Sequence, residues 1–298
     1  MRRSINIGAK TERLWVKNRQ LNVSTEDGEV YRAPCEDLGV LIADHNPSLE
    51  INAGALTRLT QAGVSIVLCD DTHLPSAAVV PLNAVNGIGD IVRDQVNQSQ
   101  PRRKRAWQQL VQAKVLAQAS NVSPTSPARK RIEKLATQVR SGDPENIEAQ
   151  SARVYWRALF GEQFRRRARV GGDINSLLDY TYAVVRATLA RSVMSVGLHP
   201  ALSFHHSSRV NSLCLIDDLI EPLRPIADRH IVSLADQHMS LTPKGKRLCV
   251  EILSRPLIHG QETTDLAGAC DRLARETRAY IRKESDRISC PIAGFDVD

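Results

Sequence analysis

The chain has 298 residues, of which 42% are hydrophobic and 24% charged, and it carries a net charge of +7 at pH 7. That length accommodates two ordinary domains whose cores need no disulfide or metal for stability. No apolar run approaches the roughly 18 residues of a membrane span, the first residues lack the pattern of a secretory signal, and the six cysteines lie at least 20 residues apart. We therefore expect a cytoplasmic protein with reduced thiols, not a secreted, membrane-spanning, zinc-finger or disordered one.

The first eighty residues alternate between short β-branched or apolar runs and turn signals, which is typical of strands. The predicted strands lie at residues 4–7, 14–17, 20–25, 30–33, 38–42, 64–69 and 77–80. One helix interrupts them: Asn52 can cap its start, Leu56 and Leu59 supply its apolar stripe, and Gly63 ends it. The sequence therefore predicts a small, sandwich-like β domain over residues 1–85.

From about residue 104 the apolar residues recur at spacings of three and four, which is the helical period. The residues that follow this period are Trp107, Leu110, Val111, Lys114 and Val115. A break with two prolines and two serines follows at residues 121–127. Further helical patterns lie at residues 128–140, 145–168, 173–196, 218–240 and 262–288. We therefore predict an α+β chain, in which the β domain precedes a larger all-helical domain over residues 86–298.

The positive charge is concentrated in one segment. Residues 101–170 carry 16 basic and 5 acidic side chains, a net +11, whereas both flanking segments are slightly acidic. Localised positive charge indicates a polyanionic partner, because each Lys or Arg that meets a phosphate releases a condensed counterion. The alternative is a solvated helix face. With only 4% aromatic residues for base stacking, the composition favours recognition of a duplex through its backbone. The candidate DNA-binding residues are Arg102, Arg103, Lys104, Arg105, Arg165, Arg166, Arg167 and Arg169.

The segment Gly87-Ile88-Gly89 has only two glycines and no following lysine. We interpret it as a turn between the domains, not as a phosphate-binding loop. Neither a G-x-S-x-G nucleophile elbow nor an H-E-x-x-H zinc motif occurs in the sequence. The sequence therefore lacks the motifs of common nucleotide-dependent enzymes and hydrolases, and it gives no support for those functions.

Two acidic residues downstream of a pair of histidines are candidates for a metal site. Asp218 and Glu221 are three residues apart, so on a helix both carboxylates face the same side. With an imidazole from His205 or His206 they form an oxygen-rich site with one nitrogen, which suits Mg²⁺ or Mn²⁺ better than Zn²⁺. The alternative is a capping box, because Asp-x-x-Glu directly before Pro222 also fits the first turn of a helix.

Glu148 is a further candidate carboxylate. It lies on a predicted helix beside small residues at positions 149, 151 and 152, which permit close packing on a neighbouring helix. A carboxylate at such a junction is costly to bury unless a cation or metal pairs with it. The alternative is an exposed glutamate that pairs with Arg153 or with another arginine nearby.

Four short segments occur in order along the second half of the chain. They read E-A-Q-S-A-R-V-Y-W at 148–156, N-S-L-L-D-Y-T-Y at 175–182, D-L-I-E-P-L-R-P at 218–225 and L-T-P-K-G-K at 241–246. Together they resemble the motifs of the CRISPR-associated integrase and endonuclease family, the catalytic subunit of the spacer-acquisition complex in antiviral defence. Ala149, Asp179 and Leu223 depart from residues common in that family, but none of them replaces a ligand. The short chain and Phe204-His205-His206 further indicate the subtype with a single large effector nuclease.

The resemblance implies an active site in the helical domain that holds Mg²⁺ or Mn²⁺. The catalytic and metal-binding residues carried over from it are Glu148, His206 and Glu221. His205 is the alternative to His206 as a ligand. Asp218, or else Asp217, matches an acidic position that assists the metal.

The resemblance also implies partners and a reaction. The family forms homodimers, with an N-terminal β domain for dimerisation, and two dimers join a dimer of a small ferredoxin-like partner in a heterohexamer. The reaction is metal-dependent transesterification, in which 3′-OH ends of short double-stranded DNA attack the leader–repeat of a CRISPR array. A structure-specific metal-dependent endonuclease would need the same ligands. A second alternative is a non-catalytic DNA-binding scaffold, in which Asp218 and Glu221 only cap a helix.

Overall fold

The computed structural model describes residues 3–8, 10–43, 45–69, 75–79, 87–167, 173–235 and 241–292. The chain divides into two compact units, Met1–Asn86 and Gly87–Asp298. The observed boundary lies one residue after the boundary predicted between residues 85 and 86. The first unit contains two small sheets and a helix, whereas the second is mostly helical. The predicted α+β class is therefore confirmed.

Each of the seven predicted strands has a counterpart in the first unit. Its elements, in chain order, are β1 (Arg3–Ile7), β2 (Thr11–Lys17), β3 (Gln20–Thr25), β4 (Val30–Pro34), β5 (Leu38–Ala43), β6 (Glu50–Ile51), α1 (Ala53–Gln61), β7 (Ser65–Cys69) and β8 (Pro75–Val79). One sheet has the order β1-β5-β7-β8, with parallel pairing except between β7 and β8. The other has the order β4-β3-β2-β6, and its β2–β3–β4 meander is antiparallel.

The two sheets and α1 share one hydrophobic core. Fully buried leucines from all three elements contribute to it; they are Leu14, Leu21, Leu38, Leu41 and Leu59. Burial of each such side chain stabilises the folded state by about 1.5–3 kcal/mol. The predicted cap of α1 is present, since Asn52 Oδ1 accepts a hydrogen bond from Ala55 N at 2.7 Å. The domain is therefore sandwich-like, with a helix added to its core.

The second unit contains the candidate site. Its elements, in chain order, are α2 (Ile88–Val96), α3 (Gln100–Ser120), α4 (Pro127–Ala136), α5 (Ile147–Phe160), α6 (Asp173–Ser195), α7 (Cys214–Leu219), α8 (Arg224–Ala235), α9 (Pro243–Val250), β9 (Pro256–His259), β10 (Glu262–Asp265) and α10 (Leu266–Ile281). The β9–β10 hairpin departs from the all-helical prediction. Leu257 and His259 of β9 are buried, and Gly260 turns the chain with φ of +70°.

Three further predictions are corrected by backbone chemistry. Gly87, with φ of +76°, forms a turn at the unit boundary as predicted, whereas Ile88 and Gly89 already belong to α2. The helix predicted over residues 145–168 stops at Phe160, because Gly161 adopts φ of +92°. The helix predicted over residues 218–240 is interrupted, since Pro222 lies in a 3-10 turn, Glu221–Leu223, between α7 and α8. Among the described residues, no helix is both long and apolar enough to cross a membrane.

Candidate active site

A row of polar contacts joins α3 to α5. Residues 114 and 118 lie on one face of α3, residue 121 caps its C-terminal end, and residues 148, 151 and 155 lie on one face of α5, because the helix repeats every 3.6 residues. The paired atoms are Lys114 Nζ with Glu148 Oε1 at 2.6 Å, Ser151 Oγ with Gln118 Oε1 at 2.7 Å, and Asn121 Nδ2 with Tyr155 OH at 2.8 Å. These contacts fix the register of the two helices and thereby position Glu148.

The start of α5 is held by its own caps. Asp143 accepts hydrogen bonds from Ile147 N at 2.9 Å and from Glu148 N at 3.1 Å, and Asn146 Oδ1 accepts one from Ala149 N at 3.3 Å. The Glu148 side chain is 27% exposed, and its ion-pair partner is Lys114. The expected alternative, a solvent-facing pair with Arg153, is therefore wrong.

Glu221 reaches the same ammonium from another element. It is the first residue of the 3-10 turn before α8 and is almost completely buried. Its carboxylate accepts hydrogen bonds from Lys114 Nζ and from Arg224 Nε, the latter at 2.9 Å. Burial alone would raise the pKa of Glu221, but the charges of Lys114 and then Arg224, with their hydrogen bonds, lower this pKa to about 2. Glu221 is therefore ionised at neutral pH.

Lys114 is the cation on which Glu148 and Glu221 converge. Burial favours the neutral amine, yet the charges of Glu221 and Glu148 outweigh it and raise the pKa of Lys114. With Arg224, the cluster contains two carboxylates and two cations, so it is electrically balanced. The point between the two carboxylates is therefore a cation position, held here by an ammonium group.

Asp218 does not cap the helix that follows it. This fully buried residue of α7 accepts hydrogen bonds at Oδ2 from Phe204 N at 2.6 Å and from His205 N at 3.0 Å. Its Oδ1 accepts one from His206 N at 3.0 Å. The 3-10 turn that begins at Glu221 has no side-chain cap. The capping-box alternative is thus wrong, because the carboxylate stabilises the histidine loop.

The two histidines have different surroundings. The His206 ring pairs through Nδ1 with Asp218 Oδ1 at 2.7 Å, which leaves Nε2 for another partner. The hydrogen bond with Asp218 raises the pKa of His206, against the effect of burial. His205 instead stacks on Trp107, with 4.2 Å between the ring centroids and 3° between the planes. Asp217, the residue before Asp218, accepts a hydrogen bond from Arg186 Nε at 2.8 Å. The environment therefore favours His206 and Asp218 over the alternatives His205 and Asp217.

The predicted site residues fall into two pairs. Glu148 and Glu221 meet at Lys114, and His206 is joined to Asp218. Among the described residues, these groups do not form a ready cluster of three or more metal-binding side chains. Their chemistry nevertheless fits Mg²⁺ or Mn²⁺, because two carboxylates already face one cation position and the histidine has the carboxylate partner typical of a metal ligand.

A buried network of hydrogen bonds lies next to Arg224. Asp228 is fully buried and accepts hydrogen bonds from Tyr155 OH at 3.0 Å and from Tyr182 OH. The Arg224 guanidinium lies 4.7 Å from the centre of the Tyr182 ring. Sequence reasoning missed Lys114, Arg224 and Asp228 as site residues. One signal was visible, since Lys114 occupies an apolar position of the α3 repeat, where a charge requires a partner.

The predicted DNA-binding residues do not all face outward. Arg102 binds the main-chain oxygens of Tyr280 and Ser285 at 2.6 and 2.7 Å, and Asp286 at 2.7 Å. Arg166 pairs with Asp179 and with Asn175 Oδ1, the latter at 3.1 Å. Both arginines therefore hold the fold together. Arg103 is partly buried, and the exposed candidates are Lys104, Arg105, Arg165 and Arg167. Arg169 lies outside the described residues.

A basic cavity between α4 and α5 was not predicted. It has a volume of about 570 Å³, and three arginines are among its lining residues: Arg131, Arg153 and Arg157. All three are exposed. Guanidinium groups present planar pairs of donors that suit phosphate oxygens. Because α5 also carries Glu148 at its start, this arginine-lined cavity is a candidate phosphate-binding surface on the helix that supports the site.

Comparisons with known proteins identify the family of the chain and solved structures that share its fold. A family model described as CRISPR associated protein Cas1 matches residues 6–244. The CRISPR-associated endonuclease Cas1 of Neisseria meningitidis serogroup C (strain 8013) is 35% identical over 285 residues, which is 94% of this chain and 92% of that protein. A casposase bound to integration product has a TM-score of 0.79 at 19% identity and covers 96% of this chain and 91% of that one. A chain of a Cas6-RT-Cas1–Cas2 complex has a TM-score of 0.77 at 14% identity and covers 100% of this chain and 36% of that one.

The two solved structures share the fold at low sequence identity. The family model spans most of the chain, including parts of both units, and the Neisseria relative aligns along nearly its whole length. The resemblance carried by the four sequence segments is thereby confirmed. The chain belongs to the Cas1 family of CRISPR-associated proteins.

Proposed function

We propose that this protein is a metal-dependent DNA integrase of CRISPR adaptation, which joins 3′-OH ends of short foreign duplexes to the leader–repeat of a CRISPR array. The observation that carries the proposal is the convergence of Glu148 and Glu221 on one cation position. The Asp218–His206 pair supplies a further oriented ligand in the same unit. The curated relative named an endonuclease and the casposase bound to integration product support the same reaction class.

Glu148, Glu221 and His206 are the residues that would hold Mg²⁺ or Mn²⁺. When bound there, the ion would supply Lewis-acid polarisation of the scissile phosphate and stabilisation of the leaving oxygen. Asp218 orients His206 through Nδ1 and keeps Nε2 available as a ligand. Arg224 fixes one oxygen of Glu221 at 2.9 Å and so limits rotation of that carboxylate.

The reaction exchanges one phosphodiester for another. The donor 3′-oxygen bonds to phosphorus of the target strand as it loses its proton, while the bond from phosphorus to the leaving strand's 3′-oxygen breaks. The leaving oxygen then takes up a proton. Because one phosphodiester bond replaces another, the reaction needs no external energy source. What the protein must supply is orientation of two DNA ends and compensation of charge on the reacting phosphate.

Exposed basic residues would bind the DNA backbone. We assign this role to Lys104, Arg105, Arg165 and Arg167, together with the arginines of the α4–α5 cavity. The β domain would form the homodimer, and two dimers would bind a dimer of a small ferredoxin-like protein in a heterohexamer. The solved Cas6-RT-Cas1–Cas2 complex, one chain of which shares the fold of this protein, supports assembly with a second protein.

The decisive experiment combines a supercoiled plasmid carrying a CRISPR array with a labelled DNA duplex, Mn²⁺ and the partner protein. The proposal expects label to be joined to the plasmid by the wild type and not by Glu148→Ala or Glu221→Ala. Cleavage of DNA without strand joining would instead support the structure-specific endonuclease. DNA binding by the wild type with neither cleavage nor joining would support the DNA-binding scaffold, and full joining activity in both variants would refute the proposed site.

A further inference from the structure

The ammonium of Lys114 lies where two candidate metal ligands meet. Its Nζ donates to Glu148 Oε1 at 2.6 Å and to Glu221 Oε2, and the residue is only 7% exposed. We propose that Lys114 is a built-in counter-ion of the metal site: it occupies the cation position in the metal-free protein, and a divalent cation displaces it. This inference rests on the proposed function and identifies Lys114 as a positioning residue that sets metal affinity.

Charge balance in the cluster favours displacement. The two carboxylates of Glu148 and Glu221 are matched by the two cations Lys114 and Arg224, so the metal-free cluster is neutral. A divalent cation bound by both carboxylates would lie next to the ammonium, and like charges repel strongly where little water is present. Movement of the ammonium removes that repulsion and releases one oxygen of each carboxylate for the metal.

Lys114 is not the only contact of α3 with α5. Ser151 contacts Gln118 of α3 at 2.7 Å, and Tyr155 contacts Asn121, which caps the end of α3, at 2.8 Å. An apolar side chain at position 114 would continue the apolar repeat of α3, whereas a lysine is costly to bury there. What Lys114 alone contributes is a positive charge at the meeting point of two carboxylates.

Lys114 is the cation of the pair that can move. An ammonium on a flexible four-carbon stem has no fixed fork of donors. Arg224, in contrast, binds Glu221 Oε1 at 2.9 Å, and its guanidinium lies 4.7 Å from the centre of the Tyr182 ring. Arg224 therefore stays as the charge that orients Glu221 after Lys114 has moved away.

The test is a Mn²⁺ titration followed by electron paramagnetic resonance of the free ion, which measures the Kd without DNA or turnover. Lys114→Met, which keeps a long side chain without its charge, should lower the Kd at least fivefold relative to the wild type. Lys130→Met removes the charge of an exposed lysine on α4 and should leave the Kd unchanged. Glu148→Gln should raise the Kd at least tenfold, which identifies the site being measured.

The outcomes separate the two proposals. An unchanged or raised Kd for Lys114→Met would overturn the proposal that the metal displaces Lys114. The proposed metal site itself still stands in that case if Glu148→Gln weakens Mn²⁺ binding. Mn²⁺ binding that does not respond to Glu148→Gln overturns both. A tighter Kd in Lys114→Met but not in Lys130→Met supports the counter-ion.

A second measurement uses the unaltered chain and does not depend on the folding of a variant. Amine-reactive labelling, read by mass spectrometry, should modify Lys114 slowly in the presence of a chelator, because its ammonium is buried and paired. Saturating Mn²⁺ should raise the labelling rate of Lys114 at least fivefold and leave that of Lys130 unchanged. A Lys114 rate that Mn²⁺ does not change overturns the inference.

Discussion

Asp218 holds His206 by both its main chain and its ring, since Oδ1 accepts hydrogen bonds from the main-chain N at 3.0 Å and from Nδ1 at 2.7 Å. The same carboxylate binds the main-chain N atoms of Phe204 and His205. It lies three residues before Glu221, at the end of α7. One buried acid therefore connects the orientation of the histidine to the turn that presents the second carboxylate ligand.

Replacing Asp218 by asparagine should destabilise the fold and misplace His206. The amide keeps one acceptor oxygen but turns a donor toward main-chain N–H groups, which leaves buried donors unpaired. We expect a loss of about 3 kcal/mol in the free energy of unfolding, measured with urea. Asp217→Asn is the matched control, because Asp217 is less buried and pairs with Arg186, and it should cost about 1 kcal/mol. Equal losses in the two variants would contradict the structural role of Asp218.

The sequence determines this region only in part, and the reason is physical. Asp218-x-x-Glu221 before Pro222 fits both a capping box and the observed arrangement, because the local pattern is identical. The choice depends on the main-chain donors of residues 204–206, which lie 12 to 14 residues earlier in the chain. Contacts of this kind are not contained in helical or strand periodicity.

The same limit applies to Lys114. The apolar repeat correctly predicted a helix through Lys114 and placed the residue on its buried face. Its two partners, Glu148 and Glu221, lie 34 and 107 residues away, so no spacing rule could identify them. The strands of the β domain, by contrast, follow from local alternation and turn residues. Local patterns thus predicted most of the elements, whereas the site depends on contacts between elements distant in the chain.

The carboxyl group of Asp228 should make the protein lose stability as the pH rises from about 4 to about 7. Burial raises the pKa of Asp228 from 3.8 to about 7, although hydrogen bonds from Tyr182 and Tyr155 and the charge of Arg224 lower it. The folded state therefore binds this proton more tightly than the unfolded state. The resulting stabilisation is complete below the unfolded pKa and is lost as the pH rises through the folded one.

The difference between the two pKa values of Asp228 corresponds to at most about 4 kcal/mol. Asp228→Asn has no titratable carboxyl at this position, so its stability should fall less than that of the wild type between pH 4 and 8. Asp90→Asn removes an exposed carboxyl and serves as the control, with a pH profile like the wild type. Urea unfolding across this range measures both slopes. Identical slopes for the wild type and Asp228→Asn would rule out the assignment.

Arg102→Ala should mainly lower the stability of the protein, because Arg102 holds the fold together. Arg102 donates to the main-chain oxygens of Tyr280 and Ser285 and to Asp286, and its guanidinium lies 4.1 Å from the centre of the Tyr280 ring. Loss of these contacts should lower the free energy of unfolding by about 2 kcal/mol. Arg105→Ala, an exposed neighbour on α3, should change it by less than about 0.5 kcal/mol. A stable Arg102→Ala variant with weakened DNA binding would restore the original assignment of Arg102 to the DNA interface.

The double variant Arg131→Ala/Arg153→Ala should weaken DNA binding without destabilising the protein. Both side chains are exposed and line the α4–α5 cavity, so the free energy of unfolding should stay within about 0.5 kcal/mol of the wild type. Each arginine that neutralises a phosphate contributes about 0.9 to the slope of log K against log salt concentration, so the slope should decrease by about 2. Fluorescence anisotropy of a labelled duplex at several salt concentrations measures it.

The control for this double variant removes the same amount of charge from another exposed surface. Arg275→Ala/Arg287→Ala alters two exposed arginines at and beyond α10, and it should leave the salt slope close to that of the wild type. Equal slopes for the wild type and the cavity variant would exclude phosphate contacts in the cavity. A decrease of equal size in both double variants would mean that overall positive charge attracts the duplex, because a defined contact surface would respond only where its own arginines are lost.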